Sequence, residues 1–305
     1  LSMFKPFSGH IFEESFLGNL IDSALVLVES NFTVINFNDN TPDEKACKML
    51  KEKFKNIDLA MLNYNAAGPY PSCFDNLNED QKISENKRIL KRNFDHLCKI
   101  IPILKPKSVL PFAGSYILGG KNIDKNKYLG TTTWDECADY LEKNLSINTK
   151  VICLRENHIF DVEKKKLLQD YKKIDTEEMT KYIKTLKTKK YDYETRDFPD
   201  LDLLKKDIYI AKTKLHERVK KFGINLKTNV YLKLNKEKIK IYDGLDDNRE
   251  ITCEMDSRLV RRILDKKSHW NNAEIGAHIT FVRSPNIMEP RFTYFSKFFS
   301  FINLN

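Results

Sequence analysis

Asp58-Leu-Ala-Met-Leu62 runs straight into Asn63-Tyr-Asn-Ala-Ala-Gly-Pro-Tyr-Pro-Ser-Cys-Phe74, and further on Ser108-Val-Leu-Pro-Phe-Ala-Gly-Ser-Tyr116 repeats the pattern. Each is a short apolar run that ends in a glycine-containing loop. The segment between them, Glu85 to Ile101, spaces its apolar residues as a helix does. A strand, a helix and a second strand in that order predict a βαβ unit. In an α/β protein the loops beyond the carboxyl ends of parallel strands carry the site.

Working outward on the N-terminal side, Ser23 to Glu29 and Phe32 to Phe37 are β-rich runs that Ser30-Asn31 turns into a hairpin. Asn38-Asp39-Asn40-Thr41-Pro42 follows, and Pro42-Asp43-Glu44 opens a helix to about Lys53 with Thr41 placed to cap it. Asp39 therefore stands in a polar loop at the end of an apolar strand. A carboxylate there reaches a ligand or metal, or else closes an Asx-turn.

On the other side, Trp134 to Leu141 reads as a short helix capped by Thr133, and Lys150 to Leu154 as a β run. Residues 156–225 form a charged helical connector: a solvent-facing helix pair over 161–189, a linker from Tyr191 to Asp200, and an amphipathic helix from Leu201 to Phe222 ended by Gly223. Residues 226–305 read as an α+β domain. Asn229–Leu234, Ile239–Tyr242 and Glu250–Met255 suggest an antiparallel meander. A helix from Asp256 to Leu264 and a last strand from Ala277 to Phe281 follow, and the aromatic tail Phe292 to Phe301 is expected to pack on the body.

The chain of 305 residues is long enough for about two domains. Its net charge of +9 comes from lysines spread along the whole length, the pattern of a solubilised surface. No base-stacking motif accompanies that charge, which argues against nucleic acid as a partner. The six cysteines form no CxxC pair, so reduced thiols in a cytoplasmic protein are expected. No apolar run spans a bilayer and no signal peptide is visible, which argues against a membrane partner.

Candidate ligand-binding residues sit in the two loops. Asn63, Tyr64, Tyr70 and Ser72 offer donors in the first, and the same loop also reads as a tight structural turn. In the second, Ser115, Tyr116 and Lys121 surround glycines whose free N–H groups suit an anion, although the spacing is not that of a Walker loop. In His269-Trp-Asn-Asn-Ala-Glu-Ile-Gly276, His269 and Glu274 are candidates for acid/base roles, while Trp270 and Ile275 read as core.

Four stretches resemble metallo-β-lactamase-fold proteins, in the subgroup of the CMP-N-acetylneuraminic acid hydroxylases. They are Asp22-Ser23 with the hairpin ending at Asn36-Phe-Asn-Asp39, the loop Ala66 to Phe74, the run Val109-Leu-Pro-Phe-Ala-Gly114, and Trp270 to Gly276 followed by Arg283-Ser-Pro-Asn286. The resemblance implies a partial or divergent αββα sandwich, with residues 1–155 as its C-terminal half and an α+β accessory domain behind. It also implies that Asp39 bridges metal (zinc, iron or manganese) in a hydrolase-like or hydroxylase-like protein that modifies a nucleotide-linked or polysaccharide sugar.

The departures are in the metal ligands. The His-x-His-x-Asp-His segment is missing, Ala113 stands where many relatives carry their last histidine, and the hydroxylase's iron–sulfur ligands are absent. The six histidines, His10, His96, His158, His216, His269 and His278, are scattered. Two expectations follow. Either an N-terminal portion, on a separate chain or in a longer protein as Leu1 in place of methionine suggests, supplies the histidines. Or this is an inactive module without a cofactor that binds a small polar or anionic sugar-containing ligand.

Overall fold

The computed structural model describes residues 2–4, 24–221, 223 and 225–289. Asp22-Ser23, His10 and the tail at 292–301 lie outside the described residues. The fold is mixed α/β with two multi-stranded sheets. It divides into two compact units: one takes in residues up to Ala67, Lys87–Tyr116 and Gly130–Met179, the other Gly68–Asn86, Ile117–Leu129 and residues from Thr180 on.

The first unit is built on a six-stranded sheet in which sequence neighbours are spatial neighbours. β1 (Ser2–Phe4), β2 (Ala24–Glu29) and β3 (Phe32–Asn36) pair antiparallel. From β3 the pairing turns parallel, through β4 (Leu59–Asn63), β5 (Ser108–Phe112) and β6 (Lys150–Val151). The crossovers are α1 (Glu44–Lys53), α2 (Glu79–Leu104) and α3 (Trp134–Asn144). Helices joining consecutive parallel strands with one handedness fall on one face of the sheet. Ile35, Ala60, Leu62 and Val109 meet Leu50, Leu97, Ile101 and Leu141 in one buried cluster there. The alternate positions Leu59, Leu110 and Ile152 turn to the opposite face, against Phe160 and Val162. A side-chain period of two thus separates the two layers.

The βαβ reading of 58–116 holds, with local differences. Asp43, not Thr41, caps α1: its carboxylate accepts from Ala46 N at 2.7 Å. α2 begins at Glu79 rather than Glu85, because Asn78 and Gln81 exchange reciprocal side-chain bonds to backbone N–H at 2.9 Å each. The β run at 150 is two residues long. The helix pair expected over 161–189 is not formed. Asp161 accepts from Lys164 N and turns a small hairpin of β7 (Phe160–Asp161) and β8 (Lys166–Leu167), and one α-helix, α4 (Thr176–Thr185), follows with a 3-10 turn at Leu186–Thr188. Tyr171 anchors the segment between β8 and α4: it accepts from Trp134 Nε1 at 2.5 Å and donates to Asp135 at 2.6 Å.

The second unit holds a four-stranded sheet packed by α5 (Leu201–Lys221) and α6 (Ser257–Leu264). Its strands are β9 (Asn229–Leu234), β10 (Glu237–Tyr242), β11 (Glu250–Met255) and β12 (Ile279–Ser284), and α7 (Trp270–Ile275) precedes β12. The sheet is not the expected antiparallel meander. β11 lies parallel to β9, and the spatial order is β10-β9-β11-β12.

Asn229 is the physical reason. Its buried amide donates to Asp246 O and Arg249 O and accepts from Gly244 N, which carries the β10–β11 connection across the start of β9. Gly244 is required there, since a Cβ would stand 2.3 Å from Lys227 O. The stretch from Tyr191 to Asp200 is not a free linker either, because Asp192–Thr195 forms a 3-10 turn that buries Tyr193.

Candidate functional site

Because β3, β4 and β5 run parallel, their carboxyl ends share one edge of the first unit's sheet. The chain leaves β3 through Phe37, whose N–H bonds Met61 O at 3.1 Å, and Asn38 takes a left-handed φ of 56°. That turn presents Asp39 to solvent, and its carboxylate forms no hydrogen bond or ion pair among the described residues. Asn40 beside it is buried, and its Nδ2 has no partner among the described residues.

The β4 loop locks onto this turn. Asn63 Nδ2 donates to Asp39 O at 2.6 Å, while Asn63 Oδ1 accepts from Asn65 N at 2.9 Å. Asn65, almost fully buried, accepts from Thr132 N at 2.9 Å and donates to Thr132 O at 3.0 Å and Ser115 Oγ at 3.3 Å. Tyr64 donates its hydroxyl to Ser115 Oγ at 2.6 Å, and Ser115 donates onward to Thr132 O at 3.0 Å. Burial pushes the Tyr64 phenol up to about 12, so it stays a donor rather than a phenolate. Gly114, at φ 126°, lets the β5 loop approach: a Cβ there would lie 2.8 Å from Asn65 Cβ.

The edge is thus a rigid set of amides and hydroxyls with one exposed carboxylate. Such a set orients a polar, hydroxyl-rich molecule. A metal of the zinc, iron or manganese kind needs several imidazole, thiolate or carboxylate donors. Among the described residues no group of three His, Cys, Asp or Glu is placed to hold one. Asp39 supplies one such donor, and the residues around it do not complete a site.

No known family model, curated protein or solved structure matches the chain.

The other expected site residues have separate structural ties. Tyr116 is partly buried beyond Ser115. In the second unit, Tyr70 donates to Glu85 at 2.9 Å and Ser72 donates to Pro69 O at 3.2 Å. Lys121 pairs with Glu194 at 3.1 Å and lies over the Tyr193 ring. The glycines beside it face protein rather than an anion: a Cβ on Gly120 would stand 2.5 Å from Lys189 O. Also in that unit, Glu274 is buried and accepts from Trp270 Nε1 at 2.8 Å, whereas His269 is exposed ahead of α7.

Thr132 and Asn40 escaped the sequence reading. Thr132 contributes through its backbone, which leaves no side-chain signature. Asn40 is one of several asparagines in a polar loop, and only burial sets it apart.

Proposed function

We propose that the carboxyl edge of the first unit binds a small polar, sugar-containing ligand, with Asp39 as the charged contact and the Asn63, Asn65 and Ser115 network as its fixed floor. One observation carries this reading: an unpaired, exposed carboxylate stands beside a fully bonded donor–acceptor set at the shared end of three parallel strands. A carboxylate accepts two hydroxyls of a sugar at once, and a floor already held in place loses little entropy when it does so.

The second reading is a metal-dependent, hydrolase-like or sugar-modifying protein of the metallo-β-lactamase type. It is favoured by the position of Asp39 after the hairpin strand, and it requires imidazoles from outside the described residues. A nucleotide-linked or polysaccharide sugar is the substrate class it implies. The six unpaired cysteines support a cytoplasmic setting. Burial raises the Cys47 and Cys153 thiols to about 12, which supports inert packing roles for them rather than nucleophilic ones. No helix among the described residues is long and apolar enough to cross a membrane.

The test is Asp39→Asn, followed by calorimetric titration with a panel of nucleotide-linked sugars and by elemental analysis of the purified protein. The ligand reading expects wild-type binding that weakens at least tenfold in the variant, with no bound metal in either. Stoichiometric zinc, iron or manganese that falls on Asp39→Asn would favour the hydrolase reading. Binding untouched by the substitution would remove Asp39 from the site.

A further inference from the structure

In the second unit β12 turns Ile279, Phe281 and Arg283 to the same buried side, so an arginine occupies what the strand's period makes a core position. Arg283 is 8% exposed. Its guanidinium lies 4.8 Å from the centre of the Phe74 ring and 5.9 Å from that of Tyr70, and Phe74 is itself stacked on Phe281 at 5.0 Å. Nη2 donates to Asn286 Oδ1 at 2.8 Å, while Nε is buried with no partner.

No carboxylate among the described residues pairs with this cation. The acids of its surroundings are already engaged: Glu85 accepts from Tyr70, Glu250 from Lys238, and Glu289 from Lys227 N, Thr228 N and Thr228 Oγ. A buried arginine is almost always paired, because desolvating the charge costs several kcal/mol. Stacking on aromatic faces returns only about 2 kcal/mol of that. Burial also pushes the guanidinium below its ordinary value, yet an arginine does not give up its proton in a folded protein.

The group is nevertheless held in place. Asn76 accepts from Arg283 N at 2.6 Å and donates to Arg283 O at 2.8 Å, and β11 pairs Ile251 opposite. Beside it lies a cavity of about 10 Å³, enough for one oxygen atom of a larger group, lined by Thr228, Arg249, Glu250, Arg283, Ser284 and Glu289 among others.

We propose that Arg283 is the anchor of an oxyanion site that takes a carboxylate or phosphoryl group. The proposal is independent of the reading of the Asp39 edge, since no residue is shared. An oxyanion supplies the missing countercharge and an acceptor for the unpartnered Nε–H. Asn286 and the two aromatic rings keep the guanidinium from turning away.

The test uses the whole chain with inorganic phosphate, acetate and chloride at matched ionic strength. The readouts are thermal unfolding and the side-chain Nε–Hε NMR resonance of Arg283, assigned by its loss in Arg283→Lys. Phosphate or acetate is expected to raise the wild-type Tm above the chloride control and to move that resonance saturably. Arg283→Lys is expected to need at least tenfold more anion, and Arg283→Met to show no response beyond chloride. A response to phosphate alone identifies a phosphoryl site, and one to acetate alone a carboxylate site. A wild-type Tm and Nε–Hε resonance that follow ionic strength only, as for a buried water, overturn the proposal. So does an Arg283→Met protein that responds as wild type does. If Arg283→Met fails to fold, the wild-type resonance still decides.

Discussion

Asp58 shows how one side chain can hold a sheet. It is 2% exposed at the start of β4, and its two oxygens accept from Thr33 N at 2.8 Å and Lys107 Nζ at 2.7 Å. It thereby ties β3, β4 and the entry to β5 together at the end opposite the candidate site. Removing the carboxylate strands a backbone N–H and a lysine, so Asp58→Ala is expected to lower unfolding free energy by about 3 kcal/mol in urea.

His278 makes a pH-dependent contribution. Tyr193 OH at 3.1 Å and Asn122 Nδ2 at 3.4 Å both donate to its Nδ1, Tyr191 packs edge-on against its ring, and Lys121, Lys125 and Glu194 are its charged neighbours. Burial, and then the two lysines, pull its pKa from 6.5 down to about 4. Between those values only the unfolded chain binds the proton. Stability from this group is therefore complete above pH 6.5 and is lost as pH falls towards 4. Allowing for its partial exposure, the loss is on the order of 2 kcal/mol. It should be missing from His278→Gln, and so should appear as a pH-dependent difference between wild type and variant when urea melts are compared across that range.

At the scale of elements, legibility followed the range of the interactions that decide each one. The strands at 58–62 and 108–112 and the helix between them declare themselves through period and through the glycine loops that end them. The first six residues of α2 did not, because they carry no apolar rows and depend on the Asn78–Gln81 exchange. The partner of β11 was not legible at all. Alternation says that a strand exists and not which neighbour it takes, and here the choice falls to the buried amide of Asn229 and the missing side chain of Gly244.

Both features are testable. Asn229→Ala leaves buried backbone groups unpaired and should cost about 2–3 kcal/mol. Gly244→Ala drives a methyl group into the backbone at Lys227 and Thr228 and should cost about 3 kcal/mol, read as a shift of the denaturant midpoint.

Over the whole molecule, the division into two units explains why only part of the candidate site could be read from the chain. Asp39, Asn63, Tyr64 and Ser115 follow directly from the ends of adjacent parallel strands, and the structure places them in one network. Tyr70, Ser72 and Lys121 looked like continuations of the same loops, but directly after Ala67 and Tyr116 the chain enters the other unit. There these side chains bond Glu85, Pro69 and Glu194.

The measurement that bears most directly on the edge of the first unit is a backbone amide NMR titration of the intact chain with a panel of nucleotide-linked sugars. Shifts confined to residues 38–40, 63–66, 113–116 and 130–132, and saturating with one member of the panel, are the predicted result. An edge that stays silent to every member, or shifts that gather elsewhere while these residues do not move, would contradict the assignment.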